Sequence, residues 1–400
     1  MFVYQWAASR LSGDVVAALA GITDSPFCNL HTLITDATVL PLKHLVFVPN
    51  IATLTIEFNR EDKQILSILP SLPSRCPFLK EISFDFYSAA DVPAVSEHLC
   101  SWVSLDRVEA QELDDRTLIH LGSMPNLHKI CFSPVQEREA AHPSFLGTFS
   151  SLQSLAFSTI RRRGCCSFMK SVGIFRIHRF TLDLRRPDSS PLRDDTTWGE
   201  FFRAVSTHCA RCSLMSIAIR NGFSEFSPIT LDDVKPLFLF SNLTVFEASG
   251  RDWCHIDDAF IKAMVMAWPH LQQFTVNCYS DPKTMLGSLA HLAHYCKELE
   301  MVHLSIDGTV IPPALSWPDG HLINKSVKSL YLPRSPILDP TIVAPFLLHL
   351  FPNLNRIYPE PSDPYSLKWA DVSKHLLMLK EARERSGMGP GSLVTDYQAC

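Results

Sequence analysis

Strong charge of either sign is missing from these 400 residues: 36 Lys plus Arg stand against 41 Asp plus Glu, a formal net charge of −5. So even a balance is not that of a chain built around a polyanion, and nucleic acid is not an expected partner. Cysteine is sparse and scattered, at 12 residues. That excludes the dense disulfide framework of a small secreted domain and points to reduced thiols in the cytoplasm or nucleus. Residues 1–20 have no basic run ahead of their apolar residues, and Arg10 and Asp14 interrupt them, so no targeting segment is expected. The uncharged run from Pro340 to Asn355 is too short for a bilayer and carries three prolines and a histidine. Enzyme signatures are missing too: there is no G-x-S-x-G elbow, no H-E-x-x-H and no phosphate-binding G-x-x-x-x-G-K-[ST]. With 46% hydrophobic and 19% charged residues the chain nevertheless has the composition of a folded protein.

What is present is periodicity. A pattern of apolar, two variable, apolar, one variable, apolar recurs at Ile51-Leu54-Ile56, Leu79-Ile82-Phe84, Leu127-Ile130-Phe132, Leu152-Leu155-Phe157, Leu214-Ile217-Ile219, Leu271-Phe274-Val276, Leu299-Val302-Leu304 and Val327-Leu330-Leu332. Weaker copies begin at Leu30, Leu105, Ile177, Leu243 and Leu354. The thirteen starts are on average 27 residues apart, and the last five steps are 29, 28, 28, 28 and 27. Three residues before most starts stands a large hydrophobe or a cysteine, among them Phe27, Cys76, Trp102, Met124, Phe149, Phe240, Trp268, Cys296 and Phe351. Between the strands, helical spacing returns, for instance at Phe260, Met264 and Trp268. Acidic residues open these segments at Asp114-Asp115, Asp232-Asp233, Asp257-Asp258 and Asp339. Their recurrence at one place in the repeat predicts helix N-caps, where a carboxylate accepts orphan backbone N–H bonds, rather than catalytic pairs.

The pattern resembles the L-x-x-L-x-L strand of leucine-rich-repeat proteins, and its long spacing is similar to the ribonuclease-inhibitor type. The resemblance implies an α/β fold: a leucine-rich-repeat solenoid with a curved parallel sheet on the concave face and helices on the convex face. Phrases such as Cys76-Pro-Phe-Leu79, Met124-Pro-Asn-Leu127, Trp268-Pro-His-Leu271 and Phe351-Pro-Asn-Leu354 resemble fungal F-box/leucine-rich-repeat proteins. Their F-box, three helices of about 11–12 residues with turns, does not fit ahead of Leu30, and no leucine-proline opening is found there. The resemblance implies a non-catalytic protein-binding scaffold, the substrate-recognition part of an SCF-type ubiquitin ligase. A Skp1-type adaptor is a partner only where an F-box stands upstream.

Strand alternation would place Gln273, Thr275, Asn277, Met301, His303, Tyr331, Arg356 and Tyr358 on the concave face as partner-binding residues. Tyr331, Arg356 and Tyr358 are residue types that dominate interface energies. A second reading rests on a basic segment: residues 161–193 carry nine positive residues against Asp183 and Asp188, so the remainder of the chain sums to −12. Arg161, Arg162, Arg163, Arg179, Arg185 and Arg186 are the candidates for receiving a phosphorylated or small anionic ligand, because arginine's fork pairs with phosphate oxygens. Cys209 and Cys212 have C-x-x-C spacing, but no second such pair lies at a zinc-site distance, and no cofactor or metal is expected.

The ends read as caps of the array. Residues 1–28 form an N-terminal helical cap with Phe2, Trp6, Leu11, Val15 and Leu19 inward, and residues 29–360 form the array. The 37-residue gap from Ile177 to Leu214 predicts a loop insertion near 185–196. Residues 361–400 form a capping helix and a flexible tail, with Leu367, Ala370, His375, Leu376 and Leu379 facing inward.

Overall fold

A computed structural model describes residues 29–35, 47–58, 66–85, 89–134, 149–159, 161–184, 196–221, 228–253, 255–278, 281–310 and 323–386. The N-terminal cap helix, the insertion over 185–195, Arg185, Arg186 and the tail beyond 386 lie outside them. The chain divides into two compact units between Asp183 and Leu184.

The thirteen pattern copies are thirteen strands: β1 Thr32–Thr35, β2 Thr53–Glu57, β3 Glu81–Asp85, β4 Arg107–Glu112, β5 Lys129–Ser133, β6 Ser154–Thr159, β7 Arg179–Leu184, β8 Ser216–Asn221, β9 Val245–Ser249, β10 Gln273–Asn277, β11 Met301–Leu304, β12 Ser329–Leu332 and β13 Arg356–Pro359. Each begins two residues after a pattern start. The strands follow strict chain order, and the pairings within β1–β6 and within β8–β13 are all parallel. This is an α/β protein whose strands alternate with helices, the arrangement of a repeat solenoid.

Eight helices among the described residues span eight residues or more: α1 Val92–Leu99, α2 Asp115–Ser123, α3 Arg162–Val172, α4 Trp198–His208, α5 Asp258–Ala267, α6 Ser288–Tyr295, α7 Pro340–Leu350 and α8 Ser366–Ser386. None is long and apolar enough to cross a membrane.

The phase is held by burial and by the backbone. Twelve of the thirteen starting residues, from Ile51 to Leu354, are at most 3% exposed, and Leu30 is half-buried. Just before each of several strands, one carbonyl accepts two successive N–H groups from the next repeat. Thr244 O takes Gln272 N at 2.8 Å and Gln273 N at 3.0 Å, and Asp106 O takes His128 N at 2.9 Å and Lys129 N at 3.1 Å. A one-residue slip would break these forks and turn the apolar residues to solvent.

The residues three before most starts fill an interior slot, whereas Ile174 and Arg211, three before Ile177 and Leu214, are exposed. Cys76, Trp102, Met124, Phe149, Phe240, Trp268, Cys296 and Phe351 are all buried. Burial raises the Cys76 thiol to about 11 and the Cys296 thiol to about 12, so both are neutral packing groups. The slot before Val327 differs. Buried Asn324 donates to Cys296 O at 2.6 Å and accepts from Ser326 N at 2.7 Å and Val327 N at 3.2 Å.

Three expected caps are observed, with Asp114 accepting from Thr117 N, Asp257 from Phe260 N and Asp339 from Thr341 N, each at 2.8 Å. At Asp232-Asp233 the expectation is corrected. Thr230 is the cap and Asp233 returns the bond to Thr230 N, a capping box in which a hydroxyl outranks the carboxylate three residues on. The inward face of α8 is also corrected. Trp369, Val372 and Leu376 are buried, whereas Leu367 and Ala370 are exposed and His375 and Leu379 half-buried. The indole sets the rotation: Trp369 is fully buried and its Nε1 donates to Ser335 O at 2.7 Å, a bond that satisfies a donor while its large ring fills the core.

Candidate protein-binding face

Period-two alternation sorts each strand into an inward apolar set and an outward set on the face away from the core. In the second unit the parallel register lines the outward residues up in rows that cross the strands. One row runs Ser216, Val245, Gln273, Met301, Ser329, Arg356, and the next runs Ala218, Glu247, Thr275, His303, Tyr331, Tyr358. Seven of the eight residues expected on this face therefore fall in two adjacent rows, and Asn277 stands in a third beside Ser249 and Arg220.

The rows bring together side chains 27 to 29 residues apart in sequence. The His303 and Tyr331 rings stack at 5.6 Å and 28°, and Tyr331 stacks on Tyr358 at 4.5 Å and 15°. Arg356 Nη1 donates to the Tyr358 hydroxyl at 3.2 Å. That bond is the chief reason the guanidinium's pKa is raised further, so the cation is fixed at any physiological pH. His303 is half-buried, and burial lowers its pKa against the opposing pull of Glu247 and Glu360, so the imidazole in the stack is neutral near pH 7. Gln273 and Arg356 are exposed, while Thr275, Asn277, Met301, Tyr331 and Tyr358 are half-buried. A pre-stacked aromatic row loses little side-chain freedom when a partner covers it, and Tyr and Arg contribute most to interfaces.

Two neighbours of this face were not foreseen as part of it: Arg334 and Glu360, whose side chains are 3.6 Å apart. Both stand past the strand ends, each directly after a proline, where alternation no longer tells which way a side chain points. Glu247 holds Arg220 through two bonds of 2.9 and 3.1 Å.

The anion-site candidates do not assemble in the same way. Arg162 is 3% exposed and turned inward, Arg161 is half-buried at the N-cap of α3, Arg163 is exposed, and Arg179 is exposed on β7. Successive helical residues project about 100° apart, so the run of arginines is divided between core and solvent. Cys209 and Cys212 are divided likewise. Cys209 is buried with its thiol pushed up to about 12, and Cys212 is exposed. Among the described residues no three His, Cys, Asp or Glu side chains group as metal ligands. A void of about 10 Å³ beside Trp253, Thr284 and Ser305 is the size of one water and takes no ligand.

In comparisons with known proteins, no protein-family model matches the chain and no curated protein matches it.

Proposed function

We propose that this chain is a non-catalytic protein-binding scaffold that holds its partner on the outward face of β10–β13. The observation that carries the reading is the stacked row His303–Tyr331–Tyr358 with Arg356 at its edge, an array of interface-forming side chains held in place before any partner arrives. The in-phase repeat is what leucine-rich-repeat proteins share. By resemblance to F-box proteins carrying such arrays, the proposed cellular role is substrate recognition for an SCF-type ubiquitin ligase, with a Skp1-type adaptor joined where an F-box is supplied. Residence in the cytoplasm or nucleus belongs to the same reading and is supported by the free thiols of Cys76, Cys100, Cys209, Cys212 and Cys296.

The test is quantitative affinity purification with three baits: the wild-type chain, Tyr331→Ser/Tyr358→Ser, and the helix-side control Ile342→Ser/Leu367→Ser. Loss of the same proteins from the tyrosine variant alone is the expected result. Equal recovery with all three baits would remove the face from consideration, and failure to recover a Skp1-type adaptor with a chain bearing an F-box would remove the ligase role. The alternative, an anion receptor in the 161–193 segment, is the weaker reading because Arg162 faces the core. Inositol hexakisphosphate at saturation should leave the melting temperature unchanged, since a ligand of the folded state must raise it.

A further inference from the structure

The outward strand positions of β8–β13 carry two cations, Arg220 and Arg356, and their surroundings differ. Arg220 is engaged by both oxygens of Glu247. Arg356 is exposed and uses Nη1 on the Tyr358 hydroxyl, which leaves the Nε–Nη2 edge of its fork toward solvent. No carboxylate stands in its row, whose other members are Ser216, Val245, Gln273, Met301 and Ser329. Glu360 is four residues further along the chain, roughly 13 Å at about 3.3 Å per residue, and Glu247 is four strands away, roughly 19 Å at about 4.8 Å per strand. At those distances in water Glu360 and Glu247 only weaken the pull on a negative charge placed beside Arg356, and Glu300, directly before Met301, stands two strands away, roughly 10 Å. Arg334, past the end of β12, faces Glu360, and the cation nearest Arg356 along the sheet is Lys328, whose carbonyl accepts from Arg356 N at 3.2 Å.

We propose that Arg356 receives a side-chain carboxylate from an acidic, extended segment of the partner protein, with Tyr331 and Tyr358 flanking it and Met301 contacting an adjacent apolar side chain. This rests on the protein-binding reading above and adds the chemistry of the bound segment. The Nε–Nη2 edge matches the two oxygens of a carboxylate. Met301 is two strands from Arg356 in the same row, about 10 Å away, which is the reach of three extended residues. The segment therefore pairs an acidic residue with an apolar one nearby.

The test uses the full chain and fluorescence anisotropy with a fluorescein-labelled dodecapeptide bearing glutamates and phenylalanines in a Gly-Ser background. Matched peptides carry glutamine, lysine or phosphoserine in place of glutamate. The glutamate peptide should bind, and more weakly as salt rises. Arg356→Glu should weaken it at least tenfold, and Arg356→Lys, which keeps the charge without the fork, should fall in between. Circular dichroism of each variant shows whether it is folded. Equal binding of the glutamate and glutamine peptides, no binding of any peptide, or unchanged affinity in folded Arg356→Glu would overturn the proposal; tighter binding of the phosphoserine peptide would assign the site to phosphate instead. If glutamate and glutamine peptides bind alike and folded Tyr331→Ser/Tyr358→Ser releases both, the carboxylate fails while the protein-binding face stands. If that tyrosine variant leaves binding intact, the face itself fails.

Discussion

Replacing Asn324 by Cys separates the pattern in the sequence from the physics of the fold. Two repeats place Cys76 and Cys296 in the slot that Asn324 occupies, both fully buried, so periodicity alone makes Asn324→Cys harmless. The structure predicts otherwise. Asn324 Oδ1 accepts from Ser326 N at 2.7 Å and Val327 N at 3.2 Å, and Nδ2 donates to Cys296 O at 2.6 Å. Cys296 O keeps a second donor, Leu299 N at 3.2 Å, and Ser326 is half-buried and can turn to water. The main cost is then the fully buried Val327 N–H, with smaller shares from the other two. At about 1–3 kcal/mol for a buried group left without its partner, the variant should lose about 2–4 kcal/mol. Urea unfolding followed by circular dichroism gives the total, and hydrogen exchange at the Val327 amide should accelerate beyond that of its neighbours. A variant within 0.5 kcal/mol of wild type, with Val327 still protected, would refute the account of this slot.

Three further outcomes follow from particular contacts. Gly250→Ala would place a Cβ 2.5 Å from Asn221 O at a φ of +132°; with strain of about 1–3 kcal/mol for the backbone alone, the chain should lose at least that in urea unfolding and should move the 2.6 Å bond that Asn221 Nδ2 donates to Asp252 Oδ2. Asp257→Ala removes the carboxylate that accepts from Phe260 N and should cost about 1 kcal/mol, with Asp257→Ser recovering most of it. Burial lowers the pKa of His98, His291, His303 and His349. Below the ordinary value of 6.5 the unfolded chain then binds protons that the folded chain refuses, so stability falls as pH drops from 6.5 toward the folded values. Denaturation at pH 7.5 and 5.5 should show this loss, and His303→Gln should reduce its slope.

The sequence carried the strands because every start after Leu30 is an interior residue and each stands two residues ahead of its strand. Even the weak copies at Leu105, Ile177 and Leu354 begin strands two residues later. It carried the caps wherever the carboxylate itself met the helix end, and failed at Asp233 where Thr230 stood three residues earlier. The outward faces of His303, Tyr331 and Tyr358 were legible from alternation, but their stacking was not. Stacking depends on register between strands 27 or 28 residues apart, which no local pattern encodes. The rotation of α8 was missed because its apolar residues are spread around the helix, and the buried side is the one carrying Trp369, Val372 and Leu376, with the Trp369 indole bonded to Ser335 O. Asn324 was invisible as a structural residue because its role lies in backbone groups two and three positions away.

The most direct test of the outward face as the binding surface is calorimetric titration of a partner recovered by the wild-type chain, compared across Tyr331→Ser/Tyr358→Ser and Ile342→Ser/Leu367→Ser. At about 2 kcal/mol or more for each interface-dominating side chain, the tyrosine variant should bind at least about 100-fold more weakly while the helix-side variant stays within about threefold of wild type. Unchanged affinity in the folded tyrosine variant, or loss confined to the helix-side variant, would contradict the account.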